Sequence, residues 1–364
     1  MFENASITTI PSALERWRPV APGPSARGAA LAAPATRGDA SVAAPATRGP
    51  VISEVPAPGA ESGPQHDLAV VDSDEELHAL AAAHLRAGLD AGDVVQAVLP
   101  RAVLESLAPA LVGVELFAVD EVCRQREPDT IVSLHRRLRG AGPRRLRLLS
   151  RVTGARVRAW DEVSRCEAVT NIAFAEDPIS ILCVYDRRET PDDALERALR
   201  THPQLLTADG RRPNPSYQEP HAFLGTLPVP EEPLQHTPPV LALEAATSLP
   251  DLRHLLERAL RGRAGNPEVE ADFHLAASEI AANAFRHGNP PVSARLWASA
   301  DRLVCAISDT GTSYADPAAG YQPAHGDDLG RGGMGLWLAR KLCDHVDLIR
   351  GRGGLTVRLV TALR

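Results

Sequence analysis

Lysine is almost missing from this 364-residue chain: Lys341 is the only one, so nearly every base among the 39 lysines and arginines is arginine. With so much alanine and proline beside it, the arginine excess reads as genomic bias, and no arginine counts as a phosphate ligand by default. Excess positive charge is also absent. A net charge of -7 and a pI near 6.0 argue against a nucleic-acid footprint, which needs a basic patch. No apolar run approaches the ~20 residues of a membrane span, and the N-terminus lacks the basic-then-apolar pattern of a secretory signal. The five cysteines, Cys123, Cys166, Cys183, Cys305 and Cys343, are odd in number, scattered and without metal-ligand spacing. They read as reduced thiols, and the expected compartment is the cytoplasm.

At this length the chain accommodates two cores. Residues 1–65 are rich in Ala, Pro, Gly and Arg and repeat Ala-Ala-Pro-Ala-Thr-Arg-Gly at Ala32 and Ala43. Such a tract buries too little apolar surface to offset its ordering entropy and is expected to be disordered. From residue 66 to 213 short apolar runs (Leu68–Val71, Val94–Leu99, Val114–Val119, Leu146–Leu149, Ile179–Tyr185) alternate with amphipathic stretches. One of these, Glu75–Ala87, opens at Asp72 or Ser73 with Glu76 completing a capping box. The alternation predicts an α/β domain with a mainly parallel sheet, and ligands of such sheets bind beyond the carboxyl ends of the strands, here near Asp72, Asp120, Ser150 and Asp186. Residues 214–238 carry many prolines and read as a linker to a last domain, 239–364.

That last domain holds three polar stretches in a fixed order. Ser278 to Gly288 lies on a helix whose apolar stripe is Phe273, Ala276, Ala277, Ile280 and Ala284, and Glu279 and Asn283, four apart, project from one face. Such a pair suits a magnesium phosphate site: the amide oxygen is a hard ligand for Mg²⁺, and the carboxylate stays free to accept a proton. The same spacing in Glu167 and Asn171 has no glycine loop after it. Two β-prone runs, Val292–Ala300 and Leu303–Ser308, then deliver Asp309 and Gly311, placed to accept an adenine amino group and to let the backbone approach the ring. Asp309-Thr310-Gly311 also has the letters of an aspartic protease, but that chemistry needs a second carboxylate and the chain has no second such triplet. Finally, Gly330, Gly332 and Gly335 satisfy G-x-G-x-x-G. No strand directly precedes them, which counts against a dinucleotide fold and for a lid ending on a helix N-terminus suited to phosphate, with Arg331 adding charge. Val346–Ile349 and Leu355–Val360 read as closing strands.

Glu-x-x-x-Asn, Asp-x-Gly and a Gly-x-Gly loop in this order resemble the Bergerat ATP-binding fold of the GHKL superfamily, an α+β sandwich, and the short version resembles the RsbW-type anti-sigma serine kinases (HATPase_c_2). The resemblance covers about the last 120 residues. It implies ATP and Mg²⁺ as cofactors, Glu279 as general base, Asn283 as metal ligand, and Asp309, Gly311, Gly330, Arg331, Gly332, Gly333, Met334, Gly335, Leu336 and Thr356 around the nucleotide. Upstream, Glu167, Asn171, Ala173 and Phe174, then Leu182 to Asp186, His202-Pro203 and Ser216-Tyr217 resemble the MEDS-type sensory domain that precedes the ATPase in actinobacterial RsbA-type regulators. Of that family's opening Phe-His-Glu only His66 and Asp67 stand near the expected place. Glu167, Asn171, Tyr185 and Asp186 are the sensory candidates; the alternative is a solvated helix face for Glu167 and Asn171 and a core role for Tyr185 and Cys183, and His202 reads as a helix end. His254 sits on a single short helix with no long dimerisation hairpin, so it reads as a packing or surface histidine.

The resemblance implies an anti-sigma factor and serine/threonine kinase that phosphorylates a STAS-type anti-anti-sigma partner under control of the sensory domain and homodimerises through its ATPase domain. The alternative is a nucleotide-gated module that sequesters a sigma factor without phosphotransfer. A repair or chaperone ATPase of the same superfamily would need a transducer after the glycine loop.

Overall fold

The computed structural model describes residues 63–107, 112–119, 127–154, 159–207, 209–311, 316–322, 334–351 and 353–363. Residues 1–62 of the expected disordered tail, Asp120 and Gly330 to Gly333 lie outside these residues, and Gln65, expected in that tail, opens the first strand.

The first half alternates strand and helix as its sequence pattern requires. In order come β1 (Gln65–Val71), α1 (Asp74–Asp90), β2 (Val94–Leu99), α2 (Arg101–Leu107), β3 (Glu115–Ala118), α3 (Glu127–Ala141), β4 (Leu146–Arg151), α4 (Ala159–Ala173), β5 (Ile179–Asp186) and α5 (Asp192–Thr201), then the short strands β6 (Gln204–Thr207) and β7 (Gly210–Pro213). The Ser73 hydroxyl accepts from the Glu76 amide, and the Glu76 carboxylate accepts from the Asp72 amide, which fixes the start of α1. Strand order is β3-β2-β4-β5-β1-β6-β7. Every pairing is parallel except the β6–β7 hairpin, so the expected mainly parallel sheet is what forms. Side-chain alternation splits β5 between two cores: Ile181, Cys183 and Tyr185 face α3 and α4, while Leu182 and Val184 face α1 and α2.

The proline-rich stretch is packed rather than loose. It carries α6 (Pro220–Thr226) and a 3₁₀ turn at Pro233–His236. Phe223 and Leu224 are buried against Ala168 and Val169 of α4, with Tyr321 in the same cluster. Further on, Trp297 Nε1 donates to the Thr237 carbonyl at 2.9 Å, and Arg358 reaches Pro230 and Gln235. Prolines end regular elements, yet their side chains and carbonyls remain available for packing and hydrogen bonds.

The second half follows as β8 (Leu241–Ala246), α7 (Leu249–Leu260), α8 (Pro267–His287), β9 (Val292–Ala298), β10 (Arg302–Asp309), α9 (Gly335–Leu342), β11 (His345–Gly351) and β12 (Gly354–Ala362). Ser248 caps α7 by accepting from Asp251, and Asn266 caps α8 by accepting from Glu268, with Pro267 in its first turn. The five strands form one antiparallel sheet, β11-β12-β10-β9-β8. One face packs on the helices through Phe273, Ile280, Ala284, Leu296, Ile307 and Leu359. The result is an α+β sandwich with α8 lying across its sheet.

Candidate functional site

Two sites stand out, one in each half. The first is a cavity of about 580 Å³ bounded by α8, the ends of β10 and β12, the 316–322 segment and α4. Asn283 and His287 of α8, Asp309 and Gly311 after β10, and Leu336 of α9 line it, with Ile280, Ile307, Leu348 and Val357 as its apolar floor. Such a mix, mostly apolar with a few placed polar groups, suits a flat ring carrying a polar tail.

Asp309 is buried and held rigidly. Its Oδ1 accepts from the Gly311 amide at 2.7 Å and from the Asn289 amide at 3.3 Å, and its other oxygen has no hydrogen bond among the described residues. Gly288 makes room for it: a Cβ there would collide with the Asp309 carboxyl group and with the Ala284 carbonyl oxygen. Gly354, at φ +123° in the β11–β12 turn, likewise presses on the Asp309 backbone where a side chain would clash.

Asn283, Glu279 and Gly335 meet at the edge of this cavity. A Cβ on Gly335 would lie 3.0 Å from Asn283 Nδ2 and 3.3 Å from Glu279 Oε2, so the N-terminus of α9 abuts both side chains. Glu279 stands outside the cavity lining, partly exposed, with Arg253 Nη2 3.9 Å from its Oε1. The Asn283 amide makes no hydrogen bond among the described residues. Met334 is the residue before α9. Thr356 does not join the group. Alternation along β12 turns Leu355 and Val357 toward the cavity and Thr356 to the other face, where its hydroxyl bonds Ser308 at 2.7 Å. His254 is exposed, near Glu257.

The sequence did not point to the contribution of the first half. Val169 and Ile172 of α4 and His221 of α6 line the same cavity. Tyr321 is buried below it, its hydroxyl donating to Glu162 Oε2 at 3.4 Å, and Arg340 stacks 4.3 Å over its ring. His345 Nδ1 approaches Glu162 Oε1 at 3.5 Å. Burial opposes the Glu162 charge, but His345 and the guanidiniums of Arg165 and Arg340 outweigh it and hold the carboxyl below its ordinary range. These residues are scattered from 162 to 345, and no periodicity links them.

Residues 242–361 match the profile of the histidine kinase-like ATPase domain, and residues 65–203 that of the MEDS domain, the methanogen/methylotroph DcmR sensory domain. The chain joins a MEDS domain to a histidine kinase-like ATPase domain. Among curated proteins it is 34% identical over 107 residues to the serine-protein kinase RsbW of Bacillus subtilis (strain 168), a match covering 26% of this chain and 66% of that one. It is 32% identical over 103 residues to the RsbW of Bacillus velezensis, covering 25% and 64%. The chain thus spans just under two thirds of the length of these relatives. No helix among the described residues is long and apolar enough to cross a membrane.

The second site lies inside the MEDS domain. Glu167 and Asn171 of α4 do converge, together with Tyr185 of β5. Glu167 Oε1 accepts from the Tyr185 hydroxyl at 3.0 Å, and its Oε2 lies 2.9 Å from His66 Nε2. Asn171 Oδ1 lies 3.0 Å from His66 Nδ1. Cys183 and His202, read from sequence as core and helix end, complete the group: Cys183 Sγ and His202 Nε2 are 3.4 and 3.5 Å from Glu167 Oε2. Burial, then the neighbouring His66, pushes the His202 imidazole down to about 4. Burial, then Glu167, raises both the Cys183 thiol and the Tyr185 phenol. Asp186 is the exception among the sensory candidates. The next residue after Tyr185 on a strand faces the opposite side, and there Asp186 is held by Arg151 and Arg188, while Arg187 and Asp72 pair nearby. Ion pairs therefore occupy the strand ends where a ligand was expected.

Proposed function

We propose that the ATPase domain binds Mg-ATP and transfers the γ-phosphoryl group to a serine or threonine of a STAS-type anti-anti-sigma protein, and that the chain also binds a sigma factor as an anti-sigma factor under control of its MEDS domain. The meeting of Glu279, Asn283 and the α9 N-terminus at the mouth of the cavity carries this reading. It supplies the parts phosphoryl transfer needs: an oxygen ligand, a carboxylate base and N–H groups facing an anion.

In this reading Asp309 accepts the adenine amino group through the oxygen that its backbone partners leave free. Ile280, Ile307 and Val357 sandwich the ring. Asn283, whose amide makes no hydrogen bond among the described residues, would hold Mg²⁺, an ion that keeps several waters and phosphate oxygens and would neutralise phosphate charge. Gly330 to Gly335, with Arg331, would hold the phosphates, and Glu279 would take the proton of the attacking hydroxyl as its oxygen bonds the γ-phosphorus and the bond from that phosphorus to its bridging oxygen breaks, leaving ADP. Thr356 on the outer face has only an indirect role through Ser308. Sequestration without phosphotransfer uses all of these groups except Glu279.

The test is incubation of the purified chain with radiolabelled ATP, Mg²⁺ and STAS-domain proteins of the same cell. Acid-stable, alkali-labile label on a partner serine is expected. Glu279→Gln should abolish labelling while ATP still binds, and Asn283→Ala should remove both. Normal labelling by Glu279→Gln would overturn the base assignment.

A further inference from the structure

The nucleotide chemistry leaves the interior of the MEDS domain unused. There, His66 from β1, Glu167 from α4, Cys183 from β5 and His202 from the end of α5 bring four ligand atoms within 4.8 Å of one another, all from buried residues. We propose that these four residues bind one divalent first-row transition-metal ion, and the imidazole, carboxylate and thiolate set suits Zn²⁺.

The hydrogen bonds around the two histidines carry the argument. Asn171 Nδ2 donates to the carbonyls of Glu167 and Thr201 at 3.2 and 2.7 Å, so Asn171 Oδ1 is the acceptor facing His66 Nδ1. His66 therefore holds a proton on Nδ1 and, in its neutral form, turns the bare lone pair of Nε2 toward Glu167. His202 repeats the device: its Nδ1 lies 2.7 Å from the Ala198 carbonyl, to which it donates. Its Nε2 is then also a bare lone pair, fully buried and without a hydrogen-bond partner. Two imidazole lone pairs, a carboxylate oxygen and a sulfur thus point at one spot. The Cys183 thiol donates to Glu167 Oε2 at 3.4 Å, but His202 Nε2 is left with no donor, a gap that a cation fills, and an Nδ1–H held by an amide or backbone carbonyl is how metal-binding histidines are oriented.

The spacing fits as well. A tetrahedral ion with bonds of about 2.0 Å to nitrogen and oxygen and about 2.3 Å to sulfur holds its ligand atoms roughly 3.3–3.6 Å apart. The observed separations are 2.9 Å from His66 Nε2 to Glu167 Oε2, 3.5 Å from Cys183 Sγ to His66 Nε2, 3.4 Å from Cys183 Sγ to Glu167 Oε2 and 3.5 Å from His202 Nε2 to Glu167 Oε2. On binding, the Cys183 thiol releases its proton to solvent, and one divalent ion then meets one thiolate and one carboxylate. The buried site is neutral, which limits its desolvation cost.

The proposal is independent of the nucleotide reading and is tested on tag-free full-length protein stripped with a chelator and titrated with Co²⁺. One equivalent should bind, giving the intense visible bands of tetrahedral Co²⁺ and a near-ultraviolet thiolate charge-transfer band, both erased by Zn²⁺. Cys183→Ser should lose the charge-transfer band. Asn171→Ala, outside the ligand set, should weaken Zn²⁺ binding about 10–100-fold. Near-ultraviolet circular dichroism reports whether each variant is folded, and Asn171→Ala carries the test if Cys183→Ser is not. Folded wild-type protein that takes up neither ion, a charge-transfer band that survives Cys183→Ser, or unaltered affinity in folded Asn171→Ala would each overturn the proposal.

Discussion

Single residues here act by filling or vacating very small volumes. Gly288 is one: an added methyl meets the Asp309 carboxyl group and the Ala284 carbonyl at once, and neither can retreat because both are tied into the backbone network. Gly288→Ala is therefore expected to destabilise the ATPase domain by about 1–3 kcal/mol and to weaken nucleotide binding, read by urea unfolding and ATP titration. Unchanged values for both would show that Asp309 shifts freely. Glu162 is the other. Its lowered pKa means that its contribution is complete above the unfolded carboxyl value, about 4.3, and is lost as pH falls through the lower folded value. Glu162→Gln should flatten the acid limb of the stability profile, measured by thermal unfolding between neutral pH and the acid range.

Among the elements, α4 joins the two sites. Glu167 and Asn171, four apart, face His66 in the MEDS interior, while Val169 and Ile172 look into the nucleotide cavity. One helix thus presents different sides to two sites, because 3.6 residues per turn separate these positions around its axis. ATP added to the full chain is expected to slow amide hydrogen exchange in residues 159–173 as well as in 267–287. Protection confined to the second segment would show that α4 is only a wall. The spacing of Glu167 and Asn171 was legible in the sequence, but not the fact that α4 borders a cavity of the other domain.

At the scale of the whole molecule, the two halves are joined by a buried polar contact together with an apolar cluster. Glu162 and Tyr321 meet with Arg340 and His345 close by, beside the cluster of Ala168, Val169, Phe223 and Leu224. Removing the carboxylate leaves the Arg165 and Arg340 guanidiniums without the buried charge they face, so Glu162→Ala should cost about 3–5 kcal/mol, and calorimetry should show the two halves unfolding in separate transitions. A single transition at the wild-type temperature would show that the contact adds nothing to the joint.

The sequence by itself determined the secondary structure and the order of the two folds. Apolar runs of strand length between amphipathic stretches gave the parallel sheet, and the stripe from Phe273 to Ala284 gave α8, since period and capping are local properties written over a few neighbouring residues. It also singled out Glu279, Asn283, Asp309 and Gly311, which sit in short contiguous motifs. Only the tertiary structure decided which face Thr356 and Asp186 occupy, that Cys183 and His202 join His66 and Glu167, and that α4 and the 316–322 segment border the cavity beside Asp309. The physical reason is the same for all of these. Strand alternation assigns a face only once register is known, and contacts between residues more than a hundred positions apart leave no periodic trace in the chain.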